Sequence, residues 1–128
     1  MTRREEREAV FKTVFQYPFH DGELPEIDID DFNPTEANKE YINNEIRGIV
    51  DNIETIDARI EANSNGWKVS RIGKAEIAIL RVAAYEIIFD ADIPDSVAIN
   101  EAVELAKKYT GEKSPAFING VLSGIVRM

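Results

Sequence analysis

Six isoleucines constrain this chain more than any other feature. Ile42, Ile46, Ile49, Ile53, Ile56 and Ile60 recur at intervals of 4, 3, 4, 3 and 4 residues. That spacing returns to one side of an α-helix at every turn, whereas a strand would scatter the six over both faces. It predicts one long helix over roughly 35–62, softened at Gly48, with a continuous apolar stripe. A near-heptad stripe also suits a coiled-coil seam. The e and g positions carry no ordered charge pairing, so a bundle helix within one molecule is the reading.

The rest of the chain reads in the same period. Val10, Phe11, Val14 and Phe15 mark a first amphipathic helix over 3–17, which Pro18 stops or kinks. Residues 18–33, with Pro18, Gly22, Pro25 and many aspartates, read as an acidic loop. Asn33-Pro34 reads as an N-cap followed by a first helical proline. Asn63-Ser64-Asn65-Gly66 ends the isoleucine helix, and Trp67 reads as a packing anchor. Ser70 is the expected cap of a helix over about 71–90 that is apolar around most of its circumference, hence central. Its polar residues Lys74, Arg81 and Tyr85 share one stripe. A helix over 97–109 turns Ile99, Ala102, Val103 and Ala106 inward and pairs Glu104 with Lys108. Ser114-Pro115 opens a last helix that buries Phe117, Val121, Leu122 and Ile125. No segment alternates with period two, so the expectation is an all-α domain over 1–128 without a sheet.

Composition narrows the chemistry. Cysteine is absent, which removes disulfides, thiolate metal sites and cysteine nucleophiles. A single histidine, His20, argues against a histidine-based zinc site or a Ser-His-Asp triad. There is no phosphate loop, dinucleotide fingerprint or H-E-x-x-H. The Asp28–Asp31 cluster lacks the glycine and terminal glutamate of a calcium loop. No catalytic residue, metal or cofactor is therefore expected. No apolar run approaches the roughly 20 residues of a membrane span, and the N-terminus lacks a signal peptide's apolar region. A cytoplasmic protein is expected.

The formal net charge of −9 seems to argue against nucleic acid. Its distribution removes that objection. Residues 21–61 hold thirteen acidic and three basic residues, residues 62–128 hold eight of each, and residues 1–20 are net +1. Exposed charges are screened over about 8–10 Å, so a basic patch away from 21–61 still attracts anions. Arg3, Arg4 and Arg7 lie on one side of the first helical turns, with Lys12 nearby and Glu5, Glu6 and Glu8 interleaved. Arginine suits phosphate and stacking contacts.

Four blocks then become specific. Ile93-Pro94-Asp95-Ser96-Val97-Ala98-Ile99-Asn100-Glu101-Ala102 and the residues through Tyr109 resemble the most distinctive block of the NusB family. Glu76-Ile77-Ala78-Ile79-Leu80-Arg81 through Tyr85-Glu86 resembles its E-x-A-x-L-R-x-A-x-Y-E helix. Ser114, Phe117 and Asn119-Gly120-Val121-Leu122 resemble its S-x-x-F-[VI]-N-G-V-L ending, and Arg7-Glu8-Ala9 its opening R-E-A. The resemblance implies a compact all-helical fold of two small packed bundles and no catalysis. It implies an antitermination factor that binds boxA RNA with NusE, a small-subunit ribosomal protein, in an RNA polymerase complex supporting ribosomal RNA transcription. The family domain also occurs fused to an RNA cytosine methyltransferase, for which this chain is too short.

By that resemblance the RNA-contacting positions are Arg3, Arg4, Arg7, Lys113, Phe117 and Asn119. Lys12, Phe15 and Lys74 complete the candidate RNA set. Phe15 stands where many members have Tyr, keeping a stacking face and losing a hydroxyl. Phe15, Glu76 and Tyr85 are the candidate partner-binding residues. Arg81 and Glu86 are expected to be structural, and Asn100 and Glu101 to fix helix packing through buried hydrogen bonds. The residues leave the choice between monomer and homodimer open. A protein-only interaction module with no RNA role is the alternative from a different class.

Overall fold

The computed structural model describes residues 1–17 and 29–128. His20 and most of the expected acidic loop, 18–28, lie outside the described residues. Six α-helices and no strand occur among the described residues: α1 Arg3–Gln16, α2 Glu36–Asp51, α3 Ile53–Ala62, α4 Lys74–Phe89, α5 Asp95–Tyr109 and α6 Ser114–Val126. The expected all-α class and two-bundle layout hold. One group, α1 to α3, packs against a second, α4 to α6, and α4 touches every other helix.

Helix α4 is central because almost nothing on it is polar. Ile77, Ala78, Ile79, Leu80, Val82, Ala83 and Ala84 are all buried. The three alanines let neighbouring backbones approach closely. Two charged side chains on α4 are also buried, and each has a partner on another helix. Arg81 is bidentate to Asp57 of α3, with both nitrogen–oxygen distances at 2.9 Å. Glu86 accepts from Nε of Arg7 on α1 at 2.8 Å.

The isoleucine stripe is buried as expected, with Ile42, Ile46, Ile49, Ile56 and Ile60 almost fully inaccessible. The single long helix, however, is two. The break falls at Asn52 (φ −113°, ψ 18°), not at Gly48. The Asn52 side chain donates to the Gly48 carbonyl at 2.7 Å, the kind of local bond by which asparagine competes with helix continuation. Gly48 stays helical and serves packing instead. A β-carbon there would stand 2.2 Å from the Tyr85 hydroxyl, so only glycine admits that ring against α2.

Several expected helix ends move. Thr35, not Asn33, caps α2, exchanging bonds with Asn38, while Asn33 takes a left-handed conformation (φ 49°). Thr2 and Glu5 form the equivalent reciprocal box on α1. Ser70 lies in a short 3₁₀ turn, and α4 starts later, after Gly73. Ser114 is the first residue of α6 rather than its cap. The expected Glu104–Lys108 pair is replaced: Glu104 pairs with Lys107 at 3.2 Å, and Lys108 reaches Glu8 of α1 at 2.7 Å. The long-range partner is what single-helix spacing cannot show.

Candidate nucleic-acid interface

The N-terminal arginines have three different fates. Arg3 is exposed, 3.3 Å from Glu6, and its guanidinium lies 3.6 Å over the Tyr41 ring. Arg4 is exposed and bidentate to Glu101 of α5 at 3.0 and 3.1 Å. Arg7 is only 6% exposed and sits beneath α1 in its ion pair with Glu86. The structure therefore leaves Arg3 and Arg4 able to meet a phosphate and places Arg7 in the interior.

Beneath α1 lies a pocket of crowded charge. Glu86 is 1% exposed, and its Oε2 has no hydrogen-bond partner among the described residues. Burial raises its carboxyl pKa against the opposing pull of Arg7. Glu45 on α2 is also buried. Burial first, then the charges of Glu86 and Asp90, push its carboxyl up to about 7, with Arg3 and Arg7 opposing. The folded chain thus holds a proton on Glu45 that the unfolded chain has released. That stability is full below the ordinary glutamate pKa and is lost as the pH rises through about 7. Replacing Glu45 with Gln should flatten this dependence and stabilise the fold at pH 8 by roughly 1–3 kcal/mol. Urea unfolding at pH 5 and pH 8 checks it; a Glu45→Gln chain weaker than its parent at pH 8 contradicts it.

At the other end of α1 a cleft of about 310 Å³ is lined by Phe11, Lys12, Phe15, Gln16, Ala75 and Tyr109. Phe15 is 37% exposed there, its ring 6.4 Å from that of Phe11. Tyr109 stacks on Phe11 at 5.0 Å and donates its hydroxyl to Glu8. A second cleft, also about 310 Å³, is lined by Trp67, Arg71, Ile72, Gly73, Glu76, Lys113, Ser114 and Phe117. Ser114 Oγ donates to Glu76 at 3.4 Å. A β-carbon on Gly73 would collide with the Glu76 carboxylate at 2.0 Å, so this glycine lets the side chain fold back over the helix start.

Ala75 belongs to the first cleft and Glu76 to the second, so the two meet at the first turn of α4, where Lys74 also sits. The fold thus sets Lys12 and Phe15 in one cleft and Glu76, Lys113 and Phe117 in the other, with Lys74 on the helix turn that borders both. Arg3 stands about 18 Å from Phe15 along α1, and Arg4 about 12 Å from Lys12. Asn119 is separated too, opening onto a groove between α5 and α6 with Ser96, Asn100 and Val103. Tyr85 lies nine residues along α4 from Glu76, packed on Phe89 at 5.5 Å and under Gly48. Of the two helix-packing residues, Glu101 does bind Arg4, but Asn100 is exposed rather than buried.

Trp67 is the residue that sequence reasoning misplaced. It is 56% exposed at the cleft rim rather than a packing anchor. The available signal was its setting, with Gly66 before it and Lys68 and Arg71 after it. Among the described residues no three His, Cys, Asp or Glu side chains gather as metal ligands. None of the described helices is long and apolar enough to cross a membrane.

The sequence model of the NusB family matches residues 4–127. This chain belongs to the NusB family. The family match takes in every candidate residue except Arg3. The chain is 47% identical over 128 residues to the transcription antitermination protein NusB of Agathobacter rectalis, covering 96% of this chain and 98% of that protein. It is 44% identical to the NusB of Clostridium novyi, with 99% of each covered. Among solved structures it is similar to NusB of T. maritima, with a TM-score of 0.87, 35% identity, and 99% and 92% coverage. It is also similar to a chain in a crystal structure of antitermination factors NusB and NusE in complex with dsRNA. There the TM-score is 0.84 at 28% identity, with 99% of this chain and 98% of that chain covered.

Proposed function

We propose that this NusB-family chain is a cytoplasmic, non-catalytic transcription antitermination factor. It binds boxA RNA jointly with NusE, within the RNA polymerase antitermination complex that supports ribosomal RNA transcription. The observation that carries this reading is the full-length likeness to a chain solved with NusE and double-stranded RNA. The surface supports it physically. Arg3, Arg4, Lys12, Lys74 and Lys113 supply phosphate affinity, and Phe15 and Phe117 offer ring faces to unpaired bases. Phe15 and Glu76, brought to adjoining clefts, are the proposed NusE contacts. Arg4 is already engaged by Glu101, so isolated affinity is modest and NusE supplies the remaining surface.

Titrating boxA RNA into the chain with and without NusE tests this. Much tighter binding by the heterodimer is expected; equal affinity in both sinks the joint site. Arg3→Ala with Arg4→Ala should weaken RNA binding and reduce the salt slope by about 1.4, with NusE binding nearly intact. If the heterodimer binds no boxA RNA, the chain is a protein-only module.

A further inference from the structure

We propose that Trp67 is a stacking platform for an unpaired RNA base, seated at the rim of the Arg71–Lys113–Phe117 cleft. The inference rests on the RNA-binding reading and extends it to a residue outside the candidate set. A tryptophan more than half exposed contributes little to a core, and its ring gains most by meeting another flat apolar surface. The loop that carries it is tethered. Trp67 N–H donates to the Ser64 carbonyl at 3.0 Å, and Ser64 is itself fully buried. Val69 N–H, two residues on, donates to the Glu61 carboxylate at 2.8 Å. The indole is therefore presented by an ordered turn, which lowers the entropy cost of stacking on it.

The charges around it select the occupant. Arg3, Arg4 and Arg7 each have a carboxylate partner in this fold. Among the described residues, Arg71 and Lys113 have no carboxylate within ion-pair distance. Glu76 is the one acidic residue lining the cleft, set back beneath Gly73 and bonded by Ser114. Aromatic faces from Trp67 and Phe117, flanked by two cations, are what a base and its phosphates require. An apolar helix or a neutral protein surface would leave those cations without partners. A duplex hides its base faces, so the occupant is single-stranded.

Trp67 is the only tryptophan, so its emission reads this site directly. Single-stranded boxA RNA titrated into the NusE-bound chain should quench Trp67 with the same Kd that anisotropy of labelled RNA gives. Trp67→Ala should weaken RNA binding roughly 5- to 150-fold without changing the salt slope or the thermal midpoint. Trp67→Phe should recover most of that loss. Arg71→Ala should instead lower the slope by about 0.7. Unchanged emission and full affinity in Trp67→Ala, with RNA bound by anisotropy, would overturn the platform and leave the RNA reading standing. No anisotropy change in any form removes both. Quenching by NusE alone, with nothing added by RNA, assigns Trp67 to the protein interface and overturns the proposal.

Discussion

Replacing Arg7 with alanine is expected to cost about 3–5 kcal/mol of stability, because it strands the Glu86 carboxylate in the interior. Glu86 is nearly inaccessible, and one of its oxygens already lacks a partner among the described residues. The damage should depend on pH. With Arg7 gone, burial raises Glu86 further, so the folded chain holds its proton to higher pH. The variant is then least impaired in mild acid and loses stability as the pH rises. Urea unfolding across that range reads both effects. Removing both charges together, as Arg7→Met with Glu86→Leu, should restore much of the loss, since a buried pair is often replaceable by well-packed apolar residues. The same pair of variants separates structure from recognition. If the double variant folds and binds boxA RNA like the parent, Arg7 acts only in the interior. A folded double variant that fails to bind gives Arg7 a direct role in RNA contact.

Leu80→Ala should cost about 2–5 kcal/mol, a large part of the ordinary 5–15 kcal/mol stability of a domain. Leu80 is fully buried near the middle of α4, the helix that touches every other. Alanine is the better helix former, so none of the loss comes from α4 as a helix. It comes from the cavity opened between the two helix groups. Val97 on α5, which is exposed, provides the control: Val97→Ala should stay within about 0.5 kcal/mol. A lower denaturation midpoint with an unchanged m-value in Leu80→Ala, and neither change in Val97→Ala, is the expected pattern.

What the sequence made legible was periodic. The isoleucine stripe, the apolar girth of α4 and the start of α1 are all properties of neighbours within a few residues. The failures share one cause, which is that the deciding partner lies far along the chain. Arg3 and Arg7 are one turn apart and look equivalent, yet Glu86, 79 residues from Arg7, draws one inward. Lys108 prefers Glu8 to its own helix neighbour for the same reason. Gly48 looked like a weak point in a helix, while Tyr85 on another helix explains it as clearance. The break at Asn52 escaped notice because a single distorted residue leaves the apolar stripe facing the same way. Of the candidate site, the sequence offered only residues matched to family motifs. Their division between the N-terminal end of α1, two adjoining clefts and a separate groove required the packing.

The links that hold α1 in place also set an order of events during synthesis. Arg4 waits for Glu101, Arg7 for Glu86, and Glu8 for Lys108 and Tyr109, partners made 79–101 residues later. At about 5–20 residues per second, Arg4, Arg7 and Glu8 of α1 wait on the order of 4–20 s for these partners. Its capping box with Thr2 and Glu5 is local and forms at once. Helix α1 is thus made well before the partners that fasten Arg4 and Arg7, and both guanidiniums are available until α4 and α5 claim them.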